Sequence, residues 1–76
     1  MNEKIIKIIQ EVSQKPDVPS VDESLFDSGL LDSFALTDMV AALEQTFNIK
    51  VPDSDLNPRK FDTVEKIAAY VESRTA

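Results

Sequence analysis

The chain is 76 residues long, contains neither cysteine nor histidine, and carries a formal net charge of −6. So short a chain cannot bury two hydrophobic cores, and we expect a single domain over residues 1–76. The missing residue types exclude disulfides, thiolate or imidazole metal sites, and the commonest acid–base and thiol catalysts. The negative charge disfavours nucleic acids and anionic membranes as partners.

The N-terminus carries no signal for export. It has no apolar run flanked by a basic region and a small-residue cleavage site, and no uncharged apolar stretch reaches the length of a membrane span. We therefore expect a soluble, cytoplasmic protein without membrane insertion, and we expect it to be a monomer.

The negative charge is concentrated between Pro16 and Asn48. This stretch has seven acidic residues and no Lys or Arg, whereas the rest of the chain has a net charge of +1. The pattern fits either a solvated loop kept soluble by its charge or a docking surface for basic protein partners. The acidic residues are Asp17, Asp22, Glu23, Asp27, Asp32, Asp38 and Glu44.

The first predicted element is an amphipathic helix over residues 3–14. Asn2 can cap its first turn, and Pro16 ends it because proline lacks a backbone donor and restricts the residue before it. Its apolar positions recur at helical spacing. They are Ile5, Ile8, Ile9 and Val12.

A long loop follows, to about Asp32. It is too apolar for a flexible linker, so we expect its side chains to pack across the helices. Gly29, the only glycine of the chain, permits a sharp turn. The apolar loop residues are Val18, Val21, Leu25, Phe26, Leu30 and Leu31.

The strongest helical pattern covers residues 33–48. Five apolar residues fall on one stripe of this helix, and a second set falls on the opposite, outward face. The stripe consists of Leu36, Met39, Val40, Leu43 and Phe47. The outward face consists of Phe34, Asp38, Ala41 and Gln45.

The last third of the chain predicts one short and one longer helix. Val51-Pro52 breaks the preceding helix, and Asn57-Pro58 predicts a brief helical turn near residues 58–61. A final helix over residues 63–74 begins with Asp62 and Glu65 as a capping box, or with Thr63 as an alternative cap. Its apolar face is Val64, Ile67, Ala68 and Val71. The predicted fold is all-α: three main helices and one short helix, with a long loop between the first two.

The segment from Asp27 to Phe34, Asp-Ser-Gly-Leu-Leu-Asp-Ser-Phe, resembles the acyl carrier protein family. The resemblance implies an acyl-carrier-like bundle in which Ser33, flanked by Asp32, bears covalent 4′-phosphopantetheine and holds acyl groups as thioesters. A phosphodiester is favoured there by the free amides and dipole of a helix N-terminus. Asp and Ser are also common helix caps, so the pair alone proves nothing.

The resemblance also implies a surface where partner enzymes dock. Its matching residues here are Phe34, Asp38, Ala41 and Glu44. The alternatives are that Phe34 folds back into the core and that the two carboxylates are ordinary solvated charges.

The implied function is that of a carrier, not an enzyme. Its expected partners are a phosphopantetheinyl transferase, an acyl- or aminoacyl-loading ligase, and a downstream synthase or transferase. Fatty acid and other lipid biosynthesis are the implied settings, but the second helix is less acidic than in the fatty-acid type. The segments Gly29–Ser33 and Asp55–Thr63 are more similar to D-alanyl carrier proteins and related stand-alone carriers. A non-covalent acidic interaction module and an enzyme subunit with a composite site are the remaining alternatives.

The sequence also bears on where the cargo lies. A long acyl chain could enter the bundle, where burial is worth about 0.8 kcal/mol per methylene. The walls of such a cavity would be Val40, Leu43, Leu56, Phe61 and Ile67. Because Phe47 and Phe61 can fill so small an interior, we expect the arm and its cargo to be exposed to solvent.

Overall fold

The computed structural model describes residues 2–75, which form helices and no β-strand. Helix α1 spans Asn2–Ser13, α2 spans Ser33–Phe47 and α3 spans Val64–Thr75, with a short 3-10 helix at Asp53–Asp55. Each of the three long helices contacts the other two. The predicted all-α bundle, with its long loop between the first two helices, is confirmed.

The helix ends follow local chemistry. Helix α1 already includes Asn2, so this residue is not the cap that precedes the helix, and α1 gives way to Gln14 in the left-handed region at φ 58°. At the start of α3 the Thr63 hydroxyl accepts from the Lys66 amide at 3.0 Å. The alternative cap is thus confirmed and the Asp62 capping box is wrong, because the Asp62 carboxylate accepts instead from the Ser24 hydroxyl at 2.7 Å.

One apolar core lies between the helices. The predicted stripes are confirmed at their centres, while Val12 and Phe47, each near a helix end, are only half-buried. The loop contributes three side chains, and the segment between α2 and α3 contributes Phe61. The fully buried large residues are Ile5, Ile9, Leu25, Met39, Leu43, Phe61, Val64, Ile67 and Val71.

The loop before α2 is held against the start of α3 by backbone hydrogen bonds. The Leu25 amide donates to the Asp62 carbonyl at 2.6 Å, and the Glu65 amide donates to the Val21 carbonyl at 3.0 Å. Gly29 adopts the expected positive φ, 82°. The prediction that every apolar side chain of the loop packs inward is wrong.

Two loop valines are the exceptions. Val18 is 71% exposed and Val21 is 45% exposed, whereas Pro19 between them is buried. Neighbouring side chains of an extended segment point in opposite directions, so burying Pro19 turns Val18 towards solvent.

The short helix lies earlier than predicted. Residues 58–61 form a turn, and the 3-10 helix is at Asp53–Asp55. The Asn57 side chain does accept from the Lys60 amide at 3.2 Å, as a cap would. The chain cannot continue as a helix because Phe61 enters the core and Asp62 bonds to the loop.

A polar cluster ties the 3-10 helix to α3. Asp55 forms an ion pair with Lys60 at 2.7 Å and accepts from the Tyr70 hydroxyl at 2.7 Å. The hydrogen bonds from Lys60 and Tyr70 lower the pKa of the Asp55 carboxyl. Burial, and then the bond to Asp55, raises the pKa of Tyr70. Phe61 packs edge-on against the Tyr70 ring, 5.0 Å between centroids.

Across residues 2–75, no helix is both long enough and apolar enough to cross a membrane.

Candidate functional site

The start of α2 is fixed by Asp32. Its backbone is extended, at φ −131° and ψ −176°, and its carboxylate accepts from the Ala35 amide at 2.8 Å. Its carbonyl accepts from the Leu36 amide at 2.9 Å, which is the first backbone bond of the helix. Asp32 is therefore the N-cap, and Ser33 is the first helical residue.

Ser33 is exposed, and its hydroxyl makes no hydrogen bond within residues 2–75. The amides of Ser33 and Phe34 belong to the first turn, where a helix offers no carbonyl acceptor. The oxygen of Ser33 can thus be reached from solvent, with two unpaired amides beside it. This arrangement suits a serine that bears an anionic phosphodiester.

Two other Asp-Ser pairs in the chain lack this arrangement. Ser28 follows Asp27 in the loop, and its hydroxyl donates to the Leu25 carbonyl at 3.2 Å. Ser54 follows Asp53 within the three-residue 3-10 helix. Only Ser33 combines an acidic neighbour with the start of a 15-residue helix.

Three of the predicted docking residues share one exposed face of α2. Phe34 is 85% exposed, and Asp38 and Ala41, at spacings of four and three residues, are exposed as well. The alternative in which Phe34 belongs to the core is thereby excluded. A large aromatic side chain therefore lies in solvent next to Ser33.

Glu44, the fourth predicted docking residue, is half-buried and makes an internal bond. One of its carboxylate oxygens accepts from the Val51 amide at 2.9 Å, and its carbonyl accepts from the Ile49 amide at 3.2 Å. Asn48 follows the helix and ends it, with its backbone in the left-handed region at φ 55°. The structure therefore gives Glu44 a part in holding the chain after α2.

A cleft of about 340 Å³ opens beside Ser33. Its walls come from the end of α1, the loop and the first turns of α2, including Lys15, Gly29, Asp32 and Phe34. The cleft was not predicted from the sequence. No periodic pattern signals it, because it exists only where three separated segments meet.

The positions predicted to line an acyl cavity lie mostly in the core. Four of these five residues are buried, and Leu43, Phe61 and Ile67 have no exposed surface. The four clefts of about 340–480 Å³ that open on the surface of residues 2–75 are not lined by any of the five.

Comparison with known proteins agrees with this geometry. The family model described as "Phosphopantetheine attachment site" matches residues 3–71. The chain belongs to this family.

Two curated relatives are D-alanyl carrier proteins. The chain is 38% identical to the D-alanyl carrier protein of Lactobacillus acidophilus over 69 aligned residues. The alignment covers 91% of this chain and 87% of the relative. It is also 38% identical to the D-alanyl carrier protein of Streptococcus pyogenes serotype M5 over 72 aligned residues. This alignment covers 95% of this chain and 91% of the relative.

These matches make the chain a carrier protein that bears 4′-phosphopantetheine covalently on a serine. In general terms, its partners include a phosphopantetheinyl transferase, which installs the arm, and a ligase, which loads it.

Proposed function

We propose that Ser33 is the serine that bears phosphopantetheine, and that the chain carries an aminoacyl group on that arm. The observation that supports this assignment most strongly is the exposed, unbonded Ser33 hydroxyl at the start of α2, within the matched region. The Ser28 hydroxyl, in contrast, donates a hydrogen bond to the Leu25 carbonyl.

The attachment reaction joins the Ser33 oxygen to the phosphorus of the pantetheine phosphate in coenzyme A. The phosphoanhydride bond breaks, adenosine 3′,5′-bisphosphate leaves, and the hydroxyl proton passes to a base of the transferase. The bound arm supplies a thiol for thioester chemistry. Asp32 holds the first turn of α2 in place, while the amides of Ser33 and Phe34 are available to the phosphodiester oxygens.

The partner enzymes dock on the exposed face of α2. Phe34 supplies apolar area, Ala41 leaves room for close approach, and Asp38 attracts basic residues of the partner. Glu44, half-buried and bonded to the Val51 amide, adds its charge to this field. The chain between Pro16 and Asn48 reinforces this field, since it contains no positive side chain. In this role the protein is a substrate of enzymes and not itself an enzyme. It acts as one cytoplasmic, monomeric domain over residues 1–76.

We favour D-alanine as the cargo over a fatty acyl chain. Both relatives described above are D-alanyl carrier proteins. The burial of Leu43, Phe61 and Ile67 adds a physical reason, because protein cores are close-packed and a long chain would have to displace these side chains. A small aminoacyl group needs no such space. The loading enzyme is then an adenylate-forming ligase.

The attachment site is tested by incubating the protein with coenzyme A and a phosphopantetheinyl transferase and measuring its intact mass. We expect one added phosphopantetheine on the wild type and on Ser28→Ala, the matched control. We expect none on Ser33→Ala, which should remain folded by circular dichroism. Full modification of Ser33→Ala would refute the assignment.

The nature of the cargo is tested by comparing amide chemical shifts of the unloaded, D-alanyl and octanoyl forms. For an exposed cargo, the shifts change only near Ser33 in both loaded forms. Changes at Val40, Leu43, Leu56, Phe61 and Ile67 in the octanoyl form would show that the bundle opens for a long chain, contrary to our proposal.

A further inference from the structure

The cleft beside Ser33 has a shape and lining suited to a tethered ligand. Its rim includes Asp32 and Phe34, the two neighbours of the proposed attachment residue, so a group linked to Ser33 starts at its edge. Its volume, about 340 Å³, falls at the lower end of the range of roughly 300–1,000 Å³ typical of small-molecule sites.

The lining offers both apolar and polar surface. Val12, Leu30, Leu31 and Ala35 present aliphatic groups. Gly29 exposes bare backbone, since a Cβ placed there would meet no atom within 4 Å. A pantetheine arm alternates methyl and methylene groups with amides, which matches a mixed wall of this kind.

The charges of the cleft point to an anion near Lys15. Two carboxylates, Asp32 and Asp38, line the cleft, and Lys15 is the one basic residue among its lining residues. Lys15 has no ion-pair partner among residues 2–75, and its contact with the Gly29 carbonyl is long, at 3.5 Å. A phosphodiester on Ser33 would otherwise face only acidic side chains.

We propose that the unloaded phosphopantetheine arm rests in this cleft, on the α1 side of Ser33, with Lys15 paired to its phosphodiester. This inference rests on the attachment of the arm to Ser33. The group that occupies the cleft is therefore the protein's own arm. The positive charge of Lys15 draws this arm to the α1 side of Ser33. Phe34 and Asp38 belong both to the cleft and to the proposed docking face. A partner that covers these residues displaces the arm from the cleft, so docking and release of the thiol are coupled.

The absence of cysteine from the sequence makes the arm easy to follow. In the modified protein the pantetheine thiol is the only thiol, so a methanethiosulfonate nitroxide labels the arm alone. Paramagnetic broadening of amide signals, measured against the same sample reduced with ascorbate, then reports where the arm lies. We expect several-fold stronger broadening at Ser13, Lys15 and Gly29 than at Thr37 and Ala41 on the exposed face of α2.

Two charge reversals complete the test. Lys15→Glu should lower the broadening at Ser13 and Gly29 about two- to fivefold, as expected for loss of an exposed ion pair. Lys7→Glu, the same change elsewhere on the surface, should leave it unaltered. Amide shifts of the unlabelled modified protein, compared with the unmodified protein, should change at the same residues, which controls for effects of the nitroxide.

The proposal and the attachment assignment fail in different ways. Intact mass is measured first, and an increment that persists in Ser33→Ala would refute the attachment site. A full increment with Thr37 broadened as strongly as Ser13 would leave the attachment intact and overturn the resting position. Broadening confined to the cleft but insensitive to Lys15→Glu would overturn the proposed pairing with Lys15.

Discussion

At the start of α2, Asp32 closes the first turn through Ala35, and the next two residues, Ser33 and Phe34, stay exposed to solvent. At the end of the same helix, Glu44 is turned inward to the Val51 amide, and Asn48 takes a left-handed conformation to stop the helix. Both ends thus use a carboxylate to bind a backbone amide. Only the N-terminal end leaves a hydroxyl and a large apolar side chain without internal partners.

This difference separates stability from function along one helix. The C-terminal end is held by the core and by the chain that follows it, through the buried Leu43 and the bond from the Val51 amide to Glu44. The first turn needs only the Asp32 cap to hold its backbone, which leaves Ser33 and Phe34 available to enzymes. Substitutions at the two ends should therefore affect different measurements.

The largest effect should come from the centre of the buried stripe. Leu43 has no exposed surface, and Leu43→Ala should lower the free energy of unfolding by about 2–5 kcal/mol. Denaturant unfolding measures the change, with Thr37→Ala on the exposed face as the control. An unmoved midpoint for Leu43→Ala would mean that the packing around this residue is not as described.

A smaller effect is expected at the C-terminal end. Glu44→Ala leaves the Val51 amide without its acceptor and should cost about 1 kcal/mol of stability. Glu44→Gln keeps an oxygen that can accept this bond while removing the charge, so it should cost less. If Gln at this position slows loading without loss of stability, the charge of Glu44 serves docking. Equal destabilisation by both variants would argue against the hydrogen bond as the cause.

At the N-terminal end, changes should alter loading and leave stability nearly unchanged. Asp38→Lys should slow loading several-fold, because it reverses a charge on the proposed docking face. The loading rate of the wild type should also fall as the salt concentration rises, since exposed charges are screened over about 10 Å at 0.1 M ionic strength. Glu72→Lys, at an exposed position of α3 outside the acidic stretch, is the matched control and should leave loading unchanged. Loading rates that ignore both salt and Asp38→Lys would contradict an electrostatic docking face.

The smallest expected effect concerns acid stability near α3. The bonds from Lys60 and Tyr70 keep the pKa of Asp55 below that of the unfolded chain. The folded state therefore gains stability above the ordinary aspartate pKa of about 3.9 and loses it as the pH falls through the lower folded value. Asp55→Asn should remove part of the acid dependence of the melting temperature, and Ser54→Ala, a neighbouring exposed change that alters no titratable group, is the control. Identical acid profiles for wild type and Asp55→Asn would exclude this contribution.

Much of the fold was predictable from periodicity and caps. The predicted helices 3–14, 33–48 and 63–74 differ from the observed bounds by one residue at most at each end. The outward position of Phe34 followed from the same periodicity, because the stripe from Leu36 to Leu43 fixes the helix phase. These features depend on local sequence, which is why they could be found without the structure.

The wrong predictions concern segments whose conformation depends on tertiary contacts. Val18 and Val21 look like core residues, but the loop anchors itself through Leu25 and the Val21 backbone, which leaves both side chains outward. The Asn57 cap is present, yet burial of Phe61 turns the chain away from a helix. The cleft beside Ser33 joins residues from three segments, and single-sequence patterns carry no information about such a meeting.

The central claim, that the exposed start of α2 is the attachment site, is tested most directly by locating the modification on the wild-type protein. Fragmentation of the phosphopantetheinylated chain by tandem mass spectrometry assigns the added mass to a particular serine. We predict that the whole increment lies on Ser33. An increment on Ser28, Ser54 or any other serine would contradict the account.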